Sequence, residues 1–405
     1  MKTLLLISGG IEAVPGIQRA KEMGLFVVVS DGNPNAPGFG YADDQIIAST
    51  YDVNETSQKA KQYHETVREF NGVICIASDV PMTVASVAKE LSLPTIPLES
   101  AELAMDKLAM KNKFNKDKVP IPDFIKLDSF NEFENLVEDC GYPLVIKPVD
   151  SRGARGVLRL TRGIDLNWAW NHSKDNSPTG RVMAEKYLDG PQVSTESMMI
   201  NGECYTVGFA DRNYEFLEKY APYIIENGGD LPSQISENIQ KKVKDVVKKA
   251  ALSMGIRDGV VKGDIVILKG KPFIIELAAR LSGGYFCTHA IPLNTGVDFV
   301  GNAIKMAIGE KVSPDDLIPK FNKNICQRYI FPAPGLIKEI NGLSELEDNS
   351  SIKYFNLHAS IGQKIDKPTA HPSRAGMVIT EGNSRQDAID SAIKAINSVT
   401  FTYKN

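Results

Sequence analysis

Residues 260–284 read VVKGDIVILKGKPFIIELAARLSGG, two apolar strand-like runs on either side of Lys269, Gly270 and Lys271. A tight antiparallel turn centred on Gly270 pairs positions whose numbers sum to 540, which sets Asp264 opposite Glu276. Directly opposed Cβ atoms lie about 4.5–5.5 Å apart, so two carboxylates there repel unless a cation sits between them. Alternation puts Lys262, Asp264, Glu276 and, if the strand runs on, Arg280 on one face. Ile265, Ile267, Phe273, Ile275 and Leu277 share the other, so one face is core and one is charged. The alternative is an exposed sheet face with scattered charge, which the direct register of two acids disfavours.

Two earlier stretches add to this chemistry. In residues 142–157, YPLVIKPVDSRGARGV, Lys147 follows an apolar strand, and the loop 151–156 carries two glycines, two arginines and a hydroxyl. Such a loop can close over phosphates; it lies between strands and is not a P-loop, and an ordinary basic hairpin is the competing reading. In residues 183–196, MAEKYLDGPQVSTE, a strand carries Glu185 toward Tyr187 and Leu188 and can offer one acceptor and backbone groups to a planar base.

Around these stretches the chain of 405 residues is too long for one core, and two or three domains are expected. Its 42% apolar and 24% charged content excludes a disordered or disulfide-scaffold protein. With 46 Lys and Arg against 50 Asp and Glu, no global positive field attracts a polyanion, so nucleic acid is not expected as partner. Five scattered cysteines without a CxxC pair fit a reduced, cytoplasmic chain. No apolar stretch approaches the ~18 residues of a membrane span, and no membrane role is expected.

Residues 1–97 alternate as a small parallel α/β domain: strands at 2–8, 25–30 and 73–77, a short run at 93–96, and helices at 13–23 and 81–91. The glycines at 9, 10 and 16 do not follow G-x-G-x-x-G, although Asp31 ends the second strand about where a ribose-binding acid would sit. A lysine-rich helix over 101–118 stops at Pro120 and Pro122. Beyond it a largely antiparallel sheet follows, with Asn201-Gly202 as a hairpin turn and an amphipathic helix over 236–254.

In this order and spacing the stretches resemble the ATP-grasp superfamily of carboxylate-amine ligases, with the architecture of its biotin carboxylase-like and purine carboxylate-ligase-like branches. The resemblance implies a mixed α/β and α+β fold: a Rossmann-like N-terminal domain over 1–97, an ATP-grasp domain of two lobes over 98–310 with its lid at about 120–190, and a small C-terminal lobe over 311–405. It implies that ATP is held by Lys107 of the family's D-K pair, by Lys147, by the lid residues Ser151, Arg152, Gly153, Ala154, Arg155, Gly156 and Val157, by the adenine segment Glu185, Lys186, Tyr187 and Leu188, and by Gln192. Asp264 and Glu276 look like ligands of magnesium, with manganese as its substitute. Arg280 looks like the arginine that holds the substrate carboxylate or its acyl phosphate, and Ser282, Gly283 and Gly284 like a substrate loop. Lys262 is a further catalytic candidate and Glu196 a further substrate contact.

The chain departs from the family pattern at four positions, the first being Asp264, shorter than the usual Glu. Ala278 replaces the amide of E-x-N-x-R, leaving one or two metal ions open. Gln192 stands where a ribose-binding acid is common. Gly284 occupies the position of the basic glutamate of biotin carboxylases. The expected reaction is activation of a small-molecule carboxylate as an acyl phosphate, then attack by an amine, with ADP and phosphate released; a homodimer is expected by analogy. The rival readings are a purine-pathway formyl or carboxy transfer enzyme, a nicotinamide-linked oxidoreductase, and a nucleotide-binding protein without turnover.

Overall fold

The computed structural model describes residues 1–347 and 349–404; of the C-terminal segment, Asp348 and Asn405 lie outside the described residues. The apolar run Thr3–Ile7 is buried along its length because it is the inner strand of a parallel sheet. It is flanked by Phe26–Asp31, then Asp44–Ile47, on one side and by Gly72–Cys75 on the other. Helices Val14–Glu22, Val53–Thr66 and Pro81–Glu90 complete this unit. Residues 93–96 form no strand: Pro94 and Pro97 lack the N–H groups a ladder needs.

The lysine-rich segment is two helices, Leu98–Met105 and Lys107–Lys116. They break at Asp106, whose carboxylate caps the second by accepting the Ala109 N–H at 2.8 Å. The cap points Lys107 and Lys111, one turn apart, inward, and both are buried. A four-stranded antiparallel sheet follows, in the order Phe124–Leu127, Val182–Lys186, Leu144–Pro148, Leu158–Leu160. Phe133 and Trp170, from the two helices packed on it, fill its core.

Two sheets make up the rest: a three-stranded one of Lys364–Ile365, Gly335–Asn341 and Thr400–Lys404, and an eight-stranded antiparallel one in the order Lys271–Ala278, Gly259–Leu268, Gln192–Ile200, Glu203–Arg212, Gly229–Leu231, Asn324–Ile330, Gly376–Gly382 and Ile352–Leu357. Strands on both sides of residue 310 therefore share one hydrogen-bonded sheet. Helix Glu237–Ser253 covers one end through Val243, Val247 and Ala250, and its lysines face away from this core.

The hairpin at 269–270 is a two-residue turn with positive φ at both Lys269 and Gly270, which starts the pairing one position off: Leu268 faces Lys271 and Ile265 faces Ile274. A bulge at Ile275 then restores the register, and Asp264 faces Glu276 as expected. The bulge also exchanges faces. Ile274, not Ile275 or Phe273, joins the core with Ile265, Ile267 and Leu277, while Ile275 lines a cavity.

Candidate active site

One cavity of about 740 Å³ lies where the parallel unit, the lid sheet and the large sheet meet. Its wall holds Lys107, Lys147, Glu185, Asp264, Glu276 and Arg280, which lie far apart in the chain and are gathered by the hairpin and the two inward lysines. Ser151 to Arg155, Val157, Lys186, Tyr187, Leu188, Gln192, Lys262, Ser282, Gly283 and Gly284 also line it. Gly156 and Glu196 do not. Gly156, at positive φ, packs against Asn176 and Pro148, and its carbonyl accepts the Ser173 hydroxyl at 2.7 Å.

Asp264 accepts from Ser194 Oγ at 3.1 Å, pairs with Arg212 Nη1 at 2.7 Å and contacts Lys262 Nζ. Burial opposes its charge, but Arg212 and Lys262 outweigh that and hold its carboxyl well below the usual range. Glu276 is half-exposed, with Lys107 Nζ 3.3 Å away. Among the described residues no group of three or more His, Cys, Asp or Glu converges, so a divalent ion has only these two acids from the protein. That donor set fits magnesium arriving with nucleotide phosphates, since magnesium commonly takes one or two carboxylates beside phosphate oxygens and water. The surrounding Lys107, Arg212 and Lys262 suit the same polyanion.

Lys147 and Lys111 share one buried acid: Glu185 Oε2 is 2.8 Å from Lys147 Nζ, and Oε1 is 3.0 Å from Lys111 Nζ. Burial again opposes the charge, yet the two ammonium groups keep Glu185 ionised, below its ordinary pKa. Burial pushes Lys111 down to about 8, with Glu185 offsetting part of the fall. Glu185 thus fixes the lysines as well as lining the cavity. The lid loop is tied down from three sides. Lys107 Nζ donates to Ser151 O at 2.6 Å, the His371 N–H donates to Gly153 O at 3.0 Å, and the Arg152 guanidinium lies 4.4 Å from the Tyr51 ring centroid.

At the other end Arg280 Nε donates to Asp79 Oδ1 at 2.5 Å. Burial works against the Arg280 charge, but Asp79 more than compensates and raises its pKa. The loop after Arg280 is fixed by Glu12, which accepts the Gly284 N–H at 2.7 Å, and by Gln327, whose Nε2 donates to Gly284 O at 2.6 Å. Only glycine fits position 284, where φ is +64° and a Cβ would stand 2.4 Å from the Tyr329 hydroxyl. Glu196 is corrected here: it is fully buried behind the loop, accepts the Ser282 N–H at 3.0 Å and has no surface with which to touch a substrate. Burial raises its pKa to about 7.

A profile of the ATP-grasp domain matches residues 104–284, and one of the L-amino acid ligase C-terminal domain 2 matches residues 328–404. Residues 104–284 are thus similar to the ATP-grasp domain, and they carry much of the cavity wall. Alanine–anticapsin ligase of Bacillus subtilis (strain 168) is 25% identical over 266 residues, 59% of this chain and 55% of that protein, so the match spans about half of that relative. The formate-dependent phosphoribosylglycinamide formyltransferase of Psychromonas ingrahamii is 25% identical over 423 residues, 99% of this chain and 96% of that one. The crystal structure of L-amino acid ligase from Bacillus licheniformis shares the fold, with TM-score 0.83 and 22% identity over 100% of this chain and 99% of that one. Domain match and fold alike set the chain beside ATP-grasp ligases.

The sequence reading assigned no role to Lys111, Arg212, Glu226, Tyr329 or Arg374, all but Lys111 on the cavity wall. Lys111 was accessible from its four-residue spacing to Lys107. Arg212 ends a strand whose alternation could have been followed further. Nothing local marks Tyr329 or Arg374, which reach the cavity only through the long-range pairing of Asn324–Ile330 with Gly376–Gly382.

Proposed function

We propose that the protein activates the carboxylate of an amino acid as an acyl phosphate and joins it to the amine of a second one. The observation that carries this reading is Arg280: a guanidinium fixed by Asp79 and four residues from Glu276, on the wall of the cavity that also holds Lys107 and Lys147. A carboxylate paired with Arg280 would lie beside the end of the cavity where the acids and lysines can hold the transferable phosphate. The match of residues 328–404 to the L-amino acid ligase profile supports amino acids as the substrate class.

In this reading Asp264 and Glu276 would hold the magnesium, which would neutralise phosphate charge, and the donor carboxylate oxygen attacks the γ-phosphorus and displaces ADP. Lys107, Lys147, Arg212 and Lys262 offset what remains, and the lid residues exclude water from the acyl phosphate. The adenine lies along residues 185–188, with Gln192 toward the ribose. The amine nitrogen then attacks the acyl carbon, phosphate leaves with the bonding pair of the C–O bond, and the nitrogen gives up a proton. Five free cysteines, and the lack among the described residues of any helix long and apolar enough to cross a membrane, support a cytoplasmic setting; a homodimer is our assignment by analogy.

The near full-length similarity to the formyltransferase favours one second reading, a nucleotide-like amine as acceptor. Hydroxylamine supplied with ATP and each of the twenty amino acids separates the two. A hydroxamate from at least one amino acid supports amino-acid activation; ADP formation with formate and a ribonucleotide amine alone supports the second.

A further inference from the structure

Of the arginines on the cavity wall, Arg374 is the one to which the activation step gives no role. Arg374 follows the short turn His371–Ser373 of the C-terminal lobe and lines the cavity. Its guanidinium carbon stacks 3.7 Å from the centroid of the Tyr329 ring, and Nη2 donates to the Glu226 backbone oxygen at 2.7 Å. The Glu226 carboxylate is 3.7 Å from Arg374 but 2.6 Å from Arg212, which claims it. Among the described residues no other acid pairs with Arg374, and its Nε is buried without a partner. A guanidinium held flat on an aromatic ring, with donors unspent, is prepared for a planar anion.

Its place limits which anion. Tyr329, beneath it, hydrogen-bonds Gln327 at 2.8 Å, and Gln327 holds the carbonyl of Gly284 in the loop after Arg280. On the other side, Glu226 and Arg212 lead to Asp264. Glu226 and Arg212 thus stand between Arg374 and Asp264, and the Tyr329 ring and Gln327 between Arg374 and the substrate loop. Arg280, paired with Asp79, makes none of these contacts, so a carboxylate on Arg374 is a second one, distinct from the donor's. We propose that Arg374, stacked on Tyr329, binds the α-carboxylate of the acceptor amino acid and so selects amino acids over simple amines as nucleophile. This rests on the amino-acid ligase reading above.

The test compares wild type, Arg374→Met and Arg374→Lys in three assays. These are hydroxamate formation with ATP, hydroxylamine and the donor; ADP release with that donor and each of the twenty L-amino acids; and ADP release with the α-amide of the best acceptor. Arg374→Met is expected to keep hydroxamate formation and the KM for ATP, and to raise the KM for the acceptor amino acid about 10- to 100-fold. It should leave the amide acceptor unaffected, and Arg374→Lys should lie between. Equal losses with amino acid and amide, or an acceptor KM that does not move, overturn the assignment. So does loss of the hydroxamate, which marks a structural role. If wild type itself makes no hydroxamate, the ligase reading fails and this one with it.

Discussion

Nε of Arg280 donates to Oδ1 of Asp79 at 2.5 Å, and beside this pair the backbone of Ile76 bridges Leu281 in parallel, with the Ala77 N–H donating to Leu281 O at 3.2 Å. Arg280, proposed to bind the donor carboxylate, is therefore held by the parallel N-terminal unit, while its backbone follows the large-sheet strand Lys271–Ala278. That unit reaches the proposed site through Asp79 and through Glu12, which accepts the Gly284 N–H.

Replacing Asp79 by Asn keeps the shape and removes the charge that orients Arg280. Hydrogen bonds to charged groups contribute about 1.5–3 kcal/mol, which corresponds to roughly 10- to 100-fold in the KM for the donor carboxylate. Initial-rate measurements of ADP release check this, with the KM for ATP expected within about twofold of wild type. A donor KM equal to wild type would show that Asp79 does not position Arg280.

Glu276→Gln removes one of the two acids proposed to hold the metal and keeps its size. Since Glu276 is half-exposed and outside the core, the melting temperature should stay within a few degrees. ADP formation should drop at least about 10³-fold, as for loss of a comparable electrostatic catalytic group. Calorimetry alongside the ADP assay separates the two effects, and a well-folded variant with full turnover would remove Glu276 from the site.

These acids show how far the sequence carries. Their opposition was legible because a Lys269-Gly270 turn and two alternating runs dictate a hairpin, and the expected pair forms even though the Ile275 bulge changes the register around it. The bulge itself has no local signature, so Phe273 and Ile275 were placed on the wrong face. Lys107, Lys147 and the lid loop were legible because charged and glycine-rich segments at strand and helix ends have few structural reasons to be there. Asp79, Glu226, Tyr329 and Arg374 are ordinary residues in their own segments. Their roles arise from contacts across more than a hundred positions, which periodicity does not encode.

Lys111 is fully buried against Glu185 and the Ile274 carbonyl. Lys111→Met leaves Glu185 with Lys147 alone and should cost about 3 kcal/mol of stability. Adding Glu185→Gln in the double variant should recover part of that loss. Urea unfolding of the four proteins in the cycle gives the coupling, and additive effects would show that the pair does not interact.

Glu196 ties stability to pH. Its folded pKa near 7 lies above its ordinary 4.5, so between these values the folded state binds more protons than the unfolded one. Stability from this group is fully present below about pH 4.5 and is lost as pH rises through 7, by at most about 3 kcal/mol. Glu196→Gln should therefore gain on wild type across that window and keep a constant lead above it. Thermal melts of both proteins from pH 4.5 to 8.5 read the difference; parallel curves would mean that Glu196 is ionised in the fold throughout.

In the proposed reaction the donor carboxylate takes the γ-phosphoryl group of ATP. Single-turnover reaction with an amino-acid donor labelled with ¹⁸O in both carboxyl oxygens tests it, with mass analysis of the released phosphate. Activation at Arg280 beside Asp264 and Glu276 predicts one ¹⁸O atom in each phosphate and one left in the product carbonyl. Phosphate free of label, formed together with ligated product, would contradict the account.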